Sequence, residues 1–335
     1  MKLRLNRSAV RLLLIILIAA AVLFVVFHFL LIWDRGRYQI EPSENSELYG
    51  NNEKAVTYYN GQGYVKRESI ETVLLIGLDK FEAAVPAEGS YKNNQQSDFL
   101  LLLILDHENR SYTALHINRD SMAEIPTLGV GGVDTGTVTG QLALAHTYGD
   151  GKILSCRNTV SAVSGFLYGA EIDHYVSLTM DAVAFVNDLV GGVTVTVMDD
   201  FSGVDPTLVK DTDVTLTGEQ ALTYVRARGS LEDSTNVHRM ERQRQYLHAL
   251  HQKAKELEAV DESFLIDALF DVSVYLVSDC TVNQLSDLGN DLLEYSGGDI
   301  RTIEGEAVKG EEFMEFYADE DALRELMLEL LYTEA

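Results

Sequence analysis

The chain is 335 residues long and strongly acidic, with 52 Asp and Glu against 26 Lys and Arg and a net charge of −26 at pH 7. Such a charge repels nucleic acid, so we expect no nucleic-acid partner. The sequence also has no motif of clustered zinc ligands, no Walker loop and no Gly-x-Ser-x-Gly nucleophile turn, which excludes the commonest other enzyme classes.

The amino-terminal segment has the composition of a membrane anchor. Residues 12–33 carry no formal charge, and 22 residues at about 1.5 Å each give about 33 Å of helix, enough to cross a bilayer. Four Lys and Arg side chains precede this run, which places the amino terminus in the cytoplasm. A cleaved signal peptide is the alternative, but the run is long for one and no small-x-small site follows it. We therefore predict a cytoplasmic tail at 1–11, a transmembrane helix at 12–33 and a single-pass type II protein anchored in a lipid bilayer.

The segment after the anchor is polar, and residues 34–68 are predicted to form an extracytoplasmic stalk. Residues 69–335 have a globular composition without repeats or low-complexity tracts, and we predict that they form the folded domain. The two cysteines, Cys156 and Cys280, lie far apart in the sequence. A disulfide between them is permitted outside the membrane, and two buried thiols are the alternative.

Beyond the stalk, short apolar runs alternate with segments of helical periodicity. This alternation favours an α/β fold in which helices cover both faces of a sheet. The predicted strands are 72–76, 99–105, 113–117, 175–178, 193–198 and 300–304. Apart from two helices that carry arginines, the predicted helices are 139–148, 157–168, 180–189, 265–277, 282–295 and 319–332.

The first arginine-bearing helix belongs to a concentration of positive charge. Of the 20 Lys and Arg side chains after residue 37, five fall between residues 226 and 244. Thr217 and Gln220 form a predicted capping box that starts a short helix. If this helix ends just before Arg226 and the chain then extends, Arg226 and Arg228 lie on one face, because extended chain alternates with a period of two.

The second arginine-bearing helix is predicted to begin at Asn236 and to run to about residue 257. Arg239, Arg242 and Gln243 lie at i, i+3 and i+4 and therefore share one face of it. The planar fork of arginine donates two parallel hydrogen bonds to phosphate or carboxylate oxygens, so the two helices together predict an anion site. The alternative is a solvated basic face paired with the many acids of the chain.

Carboxylates and one further arginine occupy the predicted strand ends. Asp79 follows the first strand, Asp98 precedes the second, and Arg119 and Asp120 follow the third. Functional groups of an α/β sheet gather at such ends, although a single Asp there is usually a turn former. With the arginines, these carboxylates predict a divalent metal, Mg²⁺ or Mn²⁺, shared with phosphates, since magnesium takes one or two carboxylates and leaves further positions to the substrate.

A series of short motifs accompanies these elements. They are Leu-Leu-Ile-Gly-Leu-Asp at 74–79, Ser-Asp-Phe at 97–99, Asn-Arg-Asp-Ser at 118–121, Asp-His-Tyr-Val at 173–176, Val-Gly-Gly-Val-Thr-Val at 190–195, Leu-Thr-Gly-Glu-Gln-Ala-Leu-Thr-Tyr-Val-Arg-Ala-Arg at 216–228 and Arg-Met-Glu-Arg-Gln at 239–243. In this order they resemble the LytR-CpsA-Psr family of cell-wall ligases over residues 70–256. The resemblance implies a three-layer α/β/α sandwich with a central mixed sheet, to which residues 257–335 would add a carboxyl-terminal helical extension.

The resemblance also implies an activity. It is that of a magnesium-dependent phosphotransferase in the bacterial cell membrane, with an extracytoplasmic catalytic domain. Such an enzyme moves a sugar-phosphate glycopolymer, such as teichoic acid or capsule, from a polyprenyl pyrophosphate carrier to peptidoglycan. The acceptor hydroxyl would attack the sugar-proximal phosphorus in line and expel polyprenyl phosphate. Two alternatives stay open: a hydrolase that uses water at the same site, and a non-enzymatic pyrophosphate-lipid binding module.

The resemblance assigns roles by position. Asp79 and Asp98 match the metal ligands. The family usually has Arg where this chain has Gln96, and a lysine that often follows the Arg-Asp motif is replaced near Gln141, so we expect weaker anion binding or a different substrate. The general base is left open between Asp98 and Asp120. The implied catalytic residues are Asp98, Arg119, Asp120, Arg226 and Arg228, and the expected pyrophosphate-binding residues are Gln96, Arg119, Arg226, Arg228, Arg239, Arg242 and Gln243.

Overall fold

The computed structural model describes residues 56–79, 93–227, 236–311 and 313–335. The predicted cytoplasmic tail, the predicted transmembrane helix and residues 34–55 of the predicted stalk lie outside this part of the chain. Within the described ranges, no helix is both long enough and apolar enough to cross a bilayer. The described residues thus cover most of the predicted catalytic domain and the end of the predicted stalk.

Strands and helices alternate along much of the described chain. The strands are β1 (Val56–Tyr59), β2 (Gln62–Lys66), β3 (Ile70–Leu78), β4 (Ser97–Asp106), β5 (Ser111–Ile117), β6 (Met122–Leu128), β7 (Asp134–Gln141), β8 (His174–Thr179), β9 (Thr194–Thr196), β10 (Asp213–Thr215), β11 (Leu276–Ser278), β12 (Ser296–Thr302), β13 (Gly305–Lys309), β14 (Met314–Ala318) and β15 (Tyr332–Glu334). The helices are α1 (Ile153–Phe166), α2 (Asp181–Leu189), α3 (Gly218–Arg226), α4 (Asn236–Glu258), α5 (Phe264–Val272), α6 (Val282–Glu294) and α7 (Glu320–Leu331).

The central sheet has six strands in the order β11-β8-β3-β4-β5-β12. β4 runs antiparallel to β3 and β5, whereas β8 is parallel to β3 and β12 is parallel to β5. The predicted central mixed sheet is therefore confirmed. Three of the strands predicted from apolar runs, at 72–76, 99–105 and 113–117, lie within β3, β4 and β5.

The sheet is buried on both faces, which explains the unbroken apolar run of β4. Leu100 and Leu102 point to one face, Leu101 and Leu103 to the other, and all four are almost fully buried. A strand covered on both sides has no solvent-facing position, so its sequence does not alternate. Helices α1 and α7 pack on the first face, and α4 and α6 pack on the second, so the sheet lies between two helical layers.

A separate apolar cluster fixes α3 beside the sheet. It joins α2, α3 and α4 to the two-stranded sheet of β9 and β10, with Tyr224 fully buried at its centre. Gly218 lets α3 approach α2 closely, because a Cβ at this position would lie 2.5 Å from the carbonyl oxygen of Ala184. The predicted capping box is present, with Gln220 N–H donating to Thr217 Oγ1 and Thr217 N–H donating to Gln220 Oε1. These contacts set the position of Arg226 at the end of the helix.

Two predicted helices differ from the observed structure. Residues 139–148 were expected to be helical, but β7 continues to Gln141 and a 3-10 helix follows at Leu142–Thr147. β6 and β7 form an antiparallel hairpin that the sequence did not indicate, because most of β7 is exposed and lacks apolar alternation. The helix predicted at 265–277 ends at Val272, and Leu276–Ser278 instead joins the sheet as β11.

The ends of the described domain also differ from expectation. Residues 56–66, which fall in the predicted stalk, form β1 and β2, and β2 pairs with β15 at the carboxyl terminus. Residues 257–335 were expected to be a helical extension. They instead contribute β11 and β12 to the two edges of the central sheet, as well as helices to both layers. The reason is that β11 and β12 pair with strands about 100–200 positions earlier in the sequence. Local periodicity does not predict such long-range pairing.

The two cysteines are both free thiols. Cys156 is buried in α1, and Cys280 is partly exposed just after β11. The disulfide that the sequence permitted is therefore not formed, and only one of the thiols is buried.

Candidate functional site

The two aspartates predicted to bind metal lie at the same edge of the sheet, the one formed by the ends of its central strands and not by the outer strands β11 and β12. β3 and β4 are antiparallel, and Leu78 at the end of β3 lies opposite Ser97 at the start of β4. Asp79 is the next residue after Leu78, and Asp98 lies in the bulge between the pairs Gly77–Phe99 and Leu78–Ser97, so the register places both at the same end of the strand pair. Neither carboxylate is fully buried: the side chain of Asp79 is 39% exposed and that of Asp98 is 13% exposed.

Arg119 is held at the same edge by three acceptors. It lies two residues after β5, whose last residue, Ile117, is opposite Leu100 of β4. Its guanidinium forms an ion pair with Asp98, donates from Nε to Asp120 Oδ1 at 3.2 Å and donates from Nη2 to Gln96 Oε1 at 2.9 Å. Since the side chain is only 10% exposed, these contacts fix the plane of the guanidinium. Gln96 therefore helps to orient Arg119.

Arg226 reaches the edge from α3. The helix ends at Arg226, and Ala227 has extended ψ, close to the predicted end. The Arg226 guanidinium forms an ion pair with Asp79, and the two side chains are 42% and 39% exposed. Exposed ion pairs contribute only about 0–1 kcal/mol, so Arg226 can exchange this partner for a ligand oxygen at little cost. Arg228, predicted to lie on the same face, is outside the described residues.

Arg239 reaches the edge from α4, on the second face of the sheet. The residue is buried, with Nη2 donating to the backbone carbonyl of Asp98 at 3.3 Å. Its charge therefore lies beside the start of β4. The structure thus brings Asp79, Asp98, Arg119, Arg226 and Arg239 to one edge of the sheet.

Arg242 and Gln243 share the buried face of α4 with Arg239, but they contact the body of the protein. Arg242 forms an ion pair with Asp199 and donates to the backbone carbonyls of Tyr224 and Ala227, which uses all three of its nitrogens. Gln243 donates to the carbonyl of Val225 at 3.1 Å. These contacts dock α4 on the end of α3, so both residues position Arg226.

Asp120 is also part of the supporting structure. It is almost fully buried, and its Oδ1 accepts from Arg119 Nε and from Gln141 Nε2, the latter at 3.1 Å. Gln141, which stands near the lysine position of the family, also donates to the carbonyl of Met314. Asp120 therefore lies behind Arg119 and holds it in place.

Two asparagines connect the strand end to α4. Asn118 Oδ1 accepts from the N–H of Asp120 at 3.0 Å and from Asn236 Nδ2 at 2.8 Å. The turn that carries Arg119 is thereby tied to the first residue of α4. The sequence placed Asn118 in a motif and Asn236 at a helix start but gave no sign of their contact, which spans 118 positions.

A buried histidine lies beneath the arginines and was not singled out from the sequence. His116 is 1% exposed, and its ring centroid lies 4.9 Å from that of Phe99. Burial, reinforced by the positive charges of Arg244 and Arg239, lowers the pKa of His116 to about 3. The ring is therefore neutral at physiological pH. The available signal was a lone polar ring in the apolar strand 113–117.

The donor set at this edge fits a hard divalent cation. Asp79 and Asp98 supply two carboxylates at adjacent strand ends, and magnesium takes one or two carboxylates together with water and phosphate oxygens. In the structure each carboxylate is paired with an arginine through its Oδ1 atom. The same edge therefore carries both guanidinium groups and carboxylates, the group types suited to phosphate and to a divalent metal.

Sequence comparison gives one family and several relatives. Residues 38–329 match the LytR_cpsA_psr family, which is most of the chain. The polyisoprenyl-teichoic acid–peptidoglycan teichoic acid transferase TagU of Enterococcus faecalis is 30% identical over 56% of this chain and 55% of its own length. The corresponding transferase TagV of Bacillus subtilis is 34% identical over 46% of this chain and 38% of its own length. The chain thus spans little more than half the length of the relatives it matches first.

Solved structures share the fold. TagT bound to LI-WTA superposes with a TM-score of 0.59 at 22% identity, covering 78% of this chain and 90% of that one. The crystal structure of B. subtilis TagV gives a TM-score of 0.59 at 23% identity, with 79% and 98% covered. Protein gbs0355 of Streptococcus agalactiae gives 0.62 at 21% identity, with 78% and 86% covered. At these identities the likeness shows that the fold is the same.

Proposed function

The chain belongs to the LytR-CpsA-Psr family, and we propose that it transfers a sugar-phosphate glycopolymer of the teichoic acid type from a polyprenyl pyrophosphate carrier to peptidoglycan. The names of relatives such as TagU and TagV, teichoic acid transferases that act on peptidoglycan, support this assignment. The observation that carries it is the meeting of Asp79 and Asp98 with three arginines at one edge of the sheet.

Phosphate binding falls to the arginines. Arg119 is rigid and almost buried, so its fork is oriented before any ligand arrives. Arg239 adds positive charge from α4, which covers the second face of the sheet. Arg226 is exposed, and it binds a phosphate oxygen of the ligand in exchange for its ion pair with Asp79. Such a division suits a pyrophosphate, whose several oxygens need both fixed and adjustable donors.

The metal site is assigned to Asp79 and Asp98. A bound Mg²⁺ or Mn²⁺ would neutralise charge on the pyrophosphate while another oxygen attacks phosphorus. Asp98 is also the more exposed of the two carboxylates considered as base, with a side chain 13% exposed against 3% for Asp120. We therefore assign proton acceptance from the attacking hydroxyl to Asp98 and the orientation of Arg119 to Asp120.

The location follows from the same proposal. Peptidoglycan lies outside the cell membrane, so the domain must be extracytoplasmic, as expected of a bacterial single-pass type II protein. Protease added to cells stripped of their outer wall should degrade residues 38–335 and spare the amino terminus. Protection of the domain would contradict both the topology and the acceptor.

Transfer of a labelled sugar-phosphate from its lipid carrier to peptidoglycan fragments tests the reaction. Asp98→Ala should abolish transfer while binding of the lipid by the arginines survives, and a chelator should have the same effect on the unaltered protein. Asp299→Ala removes an exposed carboxylate from the edge strand β12 and serves as the control.

The outcomes separate the candidate functions. Transfer that persists in Asp98→Ala or in chelator would exclude the metal mechanism. Release of the label to water, with none on peptidoglycan, would identify a hydrolase. Lipid binding without either reaction would identify a binding module.

A further inference from the structure

A second cluster of potential ligands lies at the opposite end of the central sheet. His174 is the first residue of β8 and pairs in parallel register with Val73 of β3. Asp79 lies six residues further along that strand, about 20 Å away at 3.3 Å per residue. The proposed transfer reaction does not use this end of the sheet.

Three donors of different chemistry meet there. One ligand atom each from His174, Asp279 and Cys280 lies within 4.8 Å of the other two. His174 Nδ1 is 3.6 Å from Asp279 Oδ1, and Cys280 Sγ is 4.0 Å from the same oxygen. Donors bound to one tetrahedral zinc ion are about 3.3–3.7 Å apart, given bonds of about 2.0–2.3 Å. Small side-chain movements would therefore complete the geometry.

Backbone contacts hold these donors in place. Asp279 Oδ1 accepts from the N–H of Tyr175 at 2.9 Å, which ties the carboxylate to β8. Ser278 Oγ donates to the carbonyl of Tyr175 at 2.6 Å and accepts from the N–H of Cys280 at 3.0 Å. The corner between β11 and α6 is thus fixed against the strand that carries His174. Ligands held in this way lose little freedom when a metal binds.

We propose that His174, Asp279 and Cys280 bind Zn²⁺ at this corner, with a fourth position left to water. The combination of thiolate, imidazole and carboxylate favours a borderline-soft ion over Mg²⁺ or Ca²⁺, which prefer oxygen ligands. Glu71, the second carboxylate at the site, is placed to support the histidine. Its Oε1 lies 4.0 Å from His174 Nε2 and can accept a hydrogen bond from the Nε2 proton once Nδ1 binds the metal. The amide nitrogen of Gln284 lies 3.3 Å from the same ring nitrogen.

A polar corner without a metal would account for only part of the arrangement. The contacts of His174 with Asp279 and Glu71, at 3.6 and 4.0 Å, are those of partly exposed charged side chains. They need no thiol, whereas Cys280 points into the same space. Binding exchanges the thiol proton of Cys280 for the metal and releases the proton to solvent. The ion would cross-link β8 to the β11–α6 corner and so stabilise the folded state.

A Co²⁺ titration of the full-length chain tests the site, because Co²⁺ replaces Zn²⁺ and is visible by absorption. Millimolar Mg²⁺ is kept present so that the oxygen-rich edge near Asp79 is occupied. We expect the strong visible bands of tetrahedral Co²⁺, a near-ultraviolet thiolate-to-metal band, and displacement of both by Zn²⁺. Zn²⁺ should also raise the Tm of the unaltered protein.

Matched variants separate a built site from adventitious binding. Cys280→Ser should remove the thiolate band, and His174→Ala or Asp279→Asn should weaken Zn²⁺ binding about 100-fold or more, since even loss of a supporting group costs about 10–100-fold. Asp279→Asn keeps an oxygen for the Tyr175 N–H, so the fold has no reason to change. Cys156→Ala and His248→Asn should bind as the unaltered protein does.

A thiolate band that survives in Cys280→Ser but vanishes in Cys156→Ala would overturn the proposal. Zn²⁺ affinity and Tm response that are equal in all variants would also overturn it, as adventitious binding. Neither readout uses the transfer reaction, so the result is independent of the proposed function.

Discussion

Arg226, the last residue of α3, forms an ion pair with Asp79, the residue that follows β3, across 147 positions of sequence. The elements that carry them belong to different apolar clusters, since α3 packs with α2 and α4 while β3 lies in the central sheet. The pair therefore joins the helix proposed to bind the anion to the predicted metal site. Because both side chains are about 40% exposed, the link is one that a ligand can open.

Arg226→Ala should weaken binding of a polyprenyl pyrophosphate or its transfer by about 10- to 150-fold, the equivalent of about 1.5–3 kcal/mol for a charge-assisted contact. Arg226→Lys should recover only part of this, because lysine keeps the charge but lacks the fork. The free energy of unfolding should change by less than about 1 kcal/mol. Arg301→Ala is the control, since Arg301 is equally exposed and pairs with Glu329 elsewhere. Unchanged binding in Arg226→Ala would favour the solvated basic face.

Arg242→Leu should behave in the opposite way. It removes the partner of Asp199, whose side chain is only 16% exposed, and it frees the carbonyls of Tyr224 and Ala227. Breaking a largely buried pair from one side costs about 3–5 kcal/mol, which urea unfolding would measure. The double variant with Asp199→Leu should recover part of that loss. If Arg242→Leu had normal stability but no longer bound the lipid, Arg242 would be a phosphate-binding residue after all.

Gln96→Arg should reduce the dependence on magnesium. The amide oxygen of Gln96 accepts from Arg119, so an arginine there places a second cation against the first when no ligand is bound. The phosphates of a ligand would relieve that repulsion. We expect tighter lipid binding by about 10-fold, or about 1.4 kcal/mol, and half-maximal transfer at a lower Mg²⁺ concentration. Gln62→Arg, on the exposed strand β2, is the control, and an equal effect there would indicate only a change in net charge.

Two buried histidines should make the domain sensitive to mild acid. Burial lowers the pKa of His146 from 6.5 to about 4, and burial with the charges of Arg244 and Arg239 lowers that of His116 to about 3. Below pH 6.5 these two histidines are protonated in the unfolded chain but stay neutral in the folded chain. The free energy of unfolding therefore falls as the pH falls. Each histidine contributes up to about 1.4 kcal/mol per pH unit until its folded pKa is reached.

Unfolding in urea between pH 7.5 and 5 measures this slope. His146→Asn keeps a donor for the carbonyl of Gln95 but cannot titrate, so its slope should be shallower. His248→Asn alters an exposed histidine of α4 and serves as the matched control. Equal slopes in all three proteins would show that His146 takes up its proton equally in the folded and unfolded states.

The sequence by itself determined several of the local elements and the residue types that gather at the candidate site. The capping box at Thr217 and Gln220 is a contact between residues three apart, so its residue types alone predict where α3 begins. The apolar run at 99–105 predicted a buried strand because both of its faces are covered. The charged groups beside the strands, Asp79, Asp98 and Arg119, were likewise visible as exceptions to an apolar pattern. The capping box, the apolar run and these charged exceptions can each be recognised from residues that are close together in the sequence.

Only the tertiary structure decided which of these groups face the site and which hold it together. Arg239 and Arg242 lie on one helix face and are equivalent in the sequence. The end of α3 accepts from two nitrogens of Arg242 and Asp199 pairs with the third, while Arg239 is left beside Asp98. The same holds for β12, whose sequence gives little sign that it pairs with β5 some 185 positions earlier. A long-range contact depends on the packing of both partners, and a local pattern carries information about one partner only.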